Sequence, residues 1–158
     1  MTTKYIKGDA LEWASKDGYC MIHVCNSQGK MGSGIAKQVK EKFPEAYEAY
    51  LHYHKMPYRG KFLGSVSTDK TFSVINMVAQ EFYGYDGKQY ISYKHLESCL
   101  KFIAAYWQVL STQGVHTIVV PYKMGADRAG GDWEVVIEMV EDILGEHFEI
   151  LVVEWDKL

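Results

Sequence analysis

Residues 20–39 read CMIHVCNSQGKMGSGIAKQV, and this stretch decides the fold. Its first part, Cys20–Cys25, is a short apolar run of the kind that forms a buried β-strand. Its last part opens the segment Gly34–Phe43, in which apolar residues recur every four positions, as they do in an amphipathic helix. A polar, glycine-rich loop beginning at Asn26 lies between the two. The stretch therefore predicts a strand, a loop open to a ligand, and a helix.

The rest of the chain repeats this alternation of short apolar runs with helical periods. Further strands are predicted at residues 4–7, 61–67, 71–78, 117–121 and 148–153, and further helices from Pro44, from a capping Ser92, and from a capping Asp132 to Gly145. Strands that are apolar on both faces require helices on both sides of the sheet. We therefore predict an α/β protein with three α/β/α layers, and a ligand site at the carboxyl ends of its strands.

Length and composition narrow the class of protein. The 158 residues fit a single domain, residues 1–158, and the 47% apolar and 23% charged residues are typical of a globular chain. The three cysteines have no CxxC spacing, which favours free thiols in a reducing compartment. Since the sequence has neither an apolar run of about 18 residues nor an apolar signal core, we expect no membrane contact and a cytoplasmic location.

The net charge of −3 argues against a dedicated nucleic-acid binder, which usually has a basic domain. The basic side chains are densest from Lys30 to Lys61. They could face a phosphorylated ligand, or they could form a solvated helix face.

Residues 23–39, HVCNSQGKMGSGIAKQV, contain the first candidate for ligand binding. Glycines let the backbone approach a ligand, and the free N–H groups at a helix start bind anions. The spacing matches neither a Walker loop nor a dinucleotide-binding fingerprint. The alternative is a glycine-rich turn without a ligand.

A second loop of the same kind occupies residues 120–133, VPYKMGADRAGGDW. Two such loops in one small domain suggest a diphosphate held between them. Asp9, just after the first strand, could accept a hydrogen bond from a ligand amino group such as adenine N6. It could equally cap a helix over residues 10–15.

Five segments together resemble a known family: YIKGDAL, IHVCNSQGKMGSGIA, SVINMVAQ, VPYKMGADRAGGDW and FEILVVEW. Their order and spacing are similar to those of macro domains. The resemblance is closest to the branch that contains ADP-ribose 1''-phosphate phosphatases, terminal ADP-ribose glycohydrolases and DNA-ADP-ribosyl glycohydrolase antitoxins. It implies a mixed sheet of about six strands, ADP-ribose or ADP-ribose 1''-phosphate as ligand, and no cofactor.

The resemblance also implies roles for individual residues. It places Asp9 and Trp155 near the adenine, with Ile22 or His23 close to the base or ribose. It places Asn26, Asn76 and Met77 at the distal ribose. The first phosphate loop would comprise Gly32, Ser33, Gly34 and Ile35, and the second would comprise Met124, Gly125, Ala126, Asp127 and Arg128.

Two departures from the family pattern bear on activity. Glycohydrolases of this branch use a Lys nucleophile just after the fourth strand. In this chain Met77 is assigned to that position, and a methionine cannot form the Schiff-base-like adduct that a lysine forms. Asp127 would repel phosphate unless Arg128 or a metal neutralises it; otherwise it is a general base or points to solvent. The His and Cys spacing gives no reason to predict a metal site.

From these residues we predict a hydrolase that removes phosphate from ADP-ribose 1''-phosphate. Asn26 would fix the distal ribose, while His23 and Asp127 would handle protons. His23 could instead be a neutral, buried histidine bonded to backbone. Two other functions remain open: release of ADP-ribose from ADP-ribosylated protein or nucleic acid, and ADP-ribose binding without catalysis.

Overall fold

The computed structural model describes residues 2–54, 63–82, 88–126 and 129–156. Strands and helices alternate along this part of the chain, as the sequence predicts. In chain order the elements are β1 Thr3–Gly8, α1 Ala10–Ala14, β2 Tyr19–Asn26, α2 Gly34–Lys42, α3 Pro44–His54, β3 Val66–Thr68, β4 Val74–Gln80, α4 Tyr93–Ala105, α5 Trp107–Thr112, β5 Thr117–Pro121, α6 Trp133–Leu144 and β6 Glu149–Trp155.

The six strands form one mixed sheet in the order β1-β6-β5-β2-β4-β3, which confirms the predicted architecture. β3 runs antiparallel to β4, and the other neighbours are parallel. The register between β2 and β4 shifts near their carboxyl ends: Cys25 is opposite Val78, but Asn26 is opposite Gln80. This β-bulge brings Asn26 and Gln80 side by side at the edge of the sheet.

A hydrophobic core lies on each face of the sheet. On one face, Leu100 of α4 and Val140 of α6 are fully buried against the strands. On the other face, Val39 of α2 and Tyr50 of α3 are fully buried. β2 supplies residues to both cores, which is why its sequence is apolar without alternation.

The helix boundaries follow the predicted caps, with one correction. Asp132 caps α6 by accepting a hydrogen bond from the Glu134 N–H at 2.9 Å. The helix predicted to run unbroken from Ser92 instead breaks at Tyr106, whose ψ of 17° leaves the helical range. Trp107 then starts α5 and stacks on His147 with ring centroids 4.7 Å apart. The spacing of apolar residues along the helix does not predict this long-range contact.

The remaining predictions on the fold have mixed outcomes. The strand predicted at residues 61–67 forms only from Val66 within the described residues. Residues 84–87, whose two glycines predict a loop, lie outside them. All three cysteines are buried, free thiols. None of the helices in the described part of the chain is long and apolar enough to cross a membrane.

Candidate active site

A cavity of about 660 Å³ opens at the carboxyl ends of the parallel strands, where the sequence predicts a ligand site. Residues from β1, β2, β4, β5 and β6 and from the loops that follow them line it. Ten of the predicted site residues are among them: Asp9, His23, Asn26, Gly32, Ser33, Gly34, Ile35, Met124, Gly125 and Trp155.

The first loop presents free backbone donors to this cavity. Ser33 immediately precedes α2 in an extended conformation, and the first hydrogen bond of the helix runs from the Lys37 N–H to the Ser33 carbonyl, at 3.2 Å. The N–H groups of Gly34, Ile35 and Ala36 precede this bond and have no hydrogen-bond partner among the described residues. Three N–H groups at the positive end of a helix are suited to bind a phosphate.

The second loop is a tight double turn. The Met124 N–H donates to the Pro121 carbonyl at 2.9 Å, and the Ala126 N–H donates to the Lys123 carbonyl at 2.8 Å. Gly125 has a φ of +73°, and a Cβ there would overlap the Ile91 side chain. The left-handed backbone therefore favours glycine at this position, and any other residue would also have to displace the end of the Ile91 side chain.

Ala126 does not line the cavity, contrary to the prediction, and its N–H is used within the turn. The predicted site residues Asp127 and Arg128 lie outside the described residues.

Asp9 fits both roles that its sequence position allows. One of its carboxylate oxygens accepts a hydrogen bond from the Leu11 N–H at 2.9 Å and so caps α1. The carboxylate also lines the cavity, where its second oxygen can accept from a ligand amino group. Trp155 lines the same end, since its strand neighbour in β1 is Gly8, and its side chain is 53% exposed.

Asn26 holds the first loop in shape. Its Nδ2 donates to the Lys30 carbonyl at 2.8 Å, and its Oδ1 accepts from the Gln28 N–H at 3.0 Å. The Tyr50 hydroxyl, which is buried beneath it, also lies 3.0 Å from that Oδ1. Because an amide nitrogen has two hydrogens, one Nδ2–H remains for a ligand.

His23 lies in the floor of the cavity, and burial lowers its pKa to about 4. Its Nε2 lies 2.7 Å from the Asn76 Oδ1. The Asn76 Nδ2 donates to the Ala46 carbonyl at 2.9 Å, and a carbonyl only accepts, so the orientation of the amide is fixed. His23 therefore carries its proton on Nε2, which leaves Nδ1 as an acceptor, with the Cys25 Sγ 3.8 Å from it. His23 is buried, as the alternative expected, although its partner is a side chain rather than backbone.

Three other predicted site residues are not part of the cavity. Asn76 and Met77 lie in the middle of β4 and are completely buried, because the strand continues to Gln80. Ile22 is also completely buried, and it packs in the core on the α4 side of the sheet. None of the three lines the cavity.

Gln80, rather than Met77, is the residue that β4 brings to the cavity. An amide is no more a nucleophile towards a sugar carbon than a thioether is. The sequence signal was present, since Gln80 is the polar residue that ends the run SVINMVA. Lys30 and Lys123 also line the cavity and were not singled out. Among the described residues, no cluster of His, Cys, Asp and Glu is arranged to hold a metal ion.

The buried histidine predicts how stability depends on pH. The pKa of His23 is about 4 in the folded protein, compared with about 6.5 when unfolded. Between these values only the unfolded chain binds the proton, so the free energy of unfolding falls as the pH drops from 6.5 to 4. We expect this residue to account for a loss of about 3 kcal/mol across that window.

Urea unfolding at several pH values measures this effect. His23→Gln is the control, because it keeps a donor for Asn76 but does not titrate. The wild-type curve should fall more steeply than that of the variant. Parallel curves would show that His23 titrates normally in the folded protein.

Comparison with known proteins identifies the family of the chain. The macro domain profile matches residues 22–140, three quarters of the chain. The chain belongs to the macro domain family.

Curated relatives carry a phosphatase name. A protein from Candida albicans named ADP-ribose 1''-phosphate phosphatase is 26% identical, over 95% of this chain and 99% of its own length. A protein of the same name from Aspergillus oryzae is 45% identical over 56 residues, which cover 35% of this chain and only 26% of that protein.

Solved structures show the same fold. A macrodomain protein from Streptomyces coelicolor has a TM-score of 0.75 and 25% identity, and the match covers 99% of both chains. DarTG from Thermosipho africanus, solved in complex with ADP-ribose, has a TM-score of 0.71 and 19% identity, over 97% of this chain and 41% of that one. At this lower identity the likeness concerns the fold alone.

Proposed function

We propose that this macro domain binds ADP-ribose and hydrolyses ADP-ribose 1''-phosphate to ADP-ribose and phosphate. The observation that carries the proposal is the convergence of two loops on one cavity between Asp9 and Asn26: Gly34–Ala36, with its three free N–H groups, and Lys123–Gly125. The full-length relative from Candida albicans, which bears the name of this phosphatase, supports the choice of reaction.

In this proposal each part of the ligand has its own set of residues. The adenine lies at Asp9 and Trp155, with its amino group donating to the free carboxylate oxygen. The diphosphate lies between the two loops, and the N–H groups at the start of α2 bind one of its phosphates. An oxygen of the distal ribose accepts a hydrogen bond from the remaining Nδ2–H of Asn26.

Hydrolysis then requires a water molecule in line with the terminal phosphate. The new bond joins the water oxygen to phosphorus, the bond from phosphorus to the ribose oxygen breaks, and a proton is transferred to that oxygen. We assign the proton transfers to His23, through its unprotonated Nδ1, and to Asp127. Preorganised N–H groups stabilise the charge on the phosphoryl oxygens.

The test combines binding with turnover on one sample. We expect calorimetric titration of ADP-ribose to show a single site, and ADP-ribose 1''-phosphate to release inorganic phosphate. Binding without release would contradict the phosphatase assignment. ADP-ribosylated protein and DNA would then separate a glycohydrolase, which releases ADP-ribose from them, from a domain that only binds. A complete lack of binding would contradict the site itself.

We also propose a reducing, cytoplasmic location. The three buried free thiols support it, because oxidising compartments favour disulfides.

A further inference from the structure

The charged side chains that line the cavity are arranged unevenly. Among the described residues of the lining, the acidic and basic ones are Asp9, Lys30 and Lys123. Asp9 follows β1, at the end of the cavity that Trp155 shares. Each lysine belongs to one of the two phosphate loops, Lys30 to the first and Lys123 to the second. The cavity therefore has one acidic end, while a cation lies on each loop.

The backbone of Lys30 is tied to Asn26. Its carbonyl accepts from the Asn26 Nδ2 at 2.8 Å, and its N–H donates to the Asn26 Oδ1 at 3.4 Å. Lys30 is therefore next to the residue that the proposed function assigns to the distal ribose. Its side chain is exposed and takes part in no ion pair with a described residue.

Lys123 is held in an unfavourable backbone conformation. Its φ of +64° lies in the left-handed region, which costs a residue with a side chain about 1 kcal/mol. The two turns that overlap at this residue impose that conformation. Glycine would relieve this strain, so the lysine side chain is present at a cost in stability. Its Nζ lies 5.8 Å from the centre of the Tyr122 ring and makes no ion pair with any described carboxylate.

The charge of the ligand explains such an arrangement. Backbone N–H groups bind phosphate but bring no net positive charge, whereas a diphosphate carries two negative charges. A terminal phosphate monoester adds roughly 1.5 to 2 more near pH 7. An additional cation near the distal ribose therefore increases the affinity of the cavity for ADP-ribose 1''-phosphate, the more anionic of the two ligands.

We propose that Lys30 makes this cavity selective for ADP-ribose derivatives with an anionic group on the distal ribose, and that Lys123 neutralises the diphosphate common to all of them. This inference rests on the proposed function, whose substrate class it narrows. The two lysines thus have separable effects: Lys30 acts on the terminal phosphate alone, and Lys123 acts on every ADP-ribose ligand.

The test compares Lys30→Gln and Lys123→Gln with the matched control Lys37→Gln. Lys37 is an exposed lysine of α2 that does not line the cavity. Lys30→Gln should lower kcat/KM for phosphate release about tenfold while changing the Kd for ADP-ribose less than about twofold. Lys123→Gln should lower kcat/KM about tenfold and also raise the Kd for ADP-ribose about tenfold. Lys37→Gln should leave both unchanged.

Binding keeps the inference testable if the wild type releases no phosphate. ADP-ribose 1''-phosphate then stays intact and can be titrated directly. We expect it to bind at least about tenfold more tightly than ADP-ribose, and this preference should vanish in Lys30→Gln. The inference is overturned if Lys30→Gln weakens both ligands equally or neither, or if Lys37→Gln has the same effect. Missing turnover contradicts only the proposed reaction.

Discussion

Gly32→Glu should abolish ADP-ribose binding, with a loss of at least about 100-fold in affinity, in a protein that remains folded. A Cβ at Gly32 meets no atom within 4 Å, and its φ is not in the left-handed region, so a side chain fits without strain. The new carboxylate would lie next to the free N–H groups at the start of α2. There it would compete with the phosphate for the same donors and repel its charge.

Two measurements and a control make this result interpretable. Calorimetric titration gives the affinity, and thermal unfolding shows that the fold is retained, because a carboxylate at a helix start is stabilising. Gly32→Gln introduces the same bulk without charge, so its loss of affinity should be much smaller. Wild-type affinity in Gly32→Glu would show that the first loop does not hold a phosphate.

Asn76→Ala should lower the free energy of unfolding by about 3–5 kcal/mol, a large part of the 5–15 kcal/mol typical of a domain. The variant would leave the buried Nε2–H of His23 with only the weak acceptor Cys25 Sγ, 3.5 Å away, and would remove the second bond that the Ala46 carbonyl accepts beside its bond within α3. Both His23 and Ala46 are almost completely buried, so water does not replace the lost bonds.

Ser67→Ala is the matched control for this network. The Ser67 hydroxyl accepts from the same Asn76 Nδ2 at 3.0 Å, but its removal leaves the bonds to His23 and Ala46 in place. We expect a loss of only about 1 kcal/mol in urea unfolding followed by tryptophan fluorescence. Equal losses in the two variants would mean that Asn76 does not hold His23.

The features that could be predicted from the sequence are those determined by local chemistry. Apolar periods placed the strands and helices, and Asp132 and Ser92 marked helix starts, because a cap depends only on the next few residues. The glycine-rich loops were recognised for the same reason. An apolar β2 without alternation predicted helices on both faces of the sheet, which the two cores confirm.

The errors concern contacts between segments that are distant in the sequence. Asn76 was expected at the distal ribose, yet it pairs with His23, 53 positions away. Gln80 was missed because a bulge between neighbouring strands brings it to the cavity in register with Asn26. No local pattern encodes which residue of one strand lies opposite which residue of another.

The sequence by itself therefore determined the layered fold, the edge of the sheet at which the cavity opens, and the two glycine-rich loops. Only the tertiary structure decided which polar side chains reach the cavity, as His23 does, and which stay buried below it, as Asn76 does. The physical reason is that hydrogen bonding and burial depend on strand register and helix packing, which form only when the whole chain has folded.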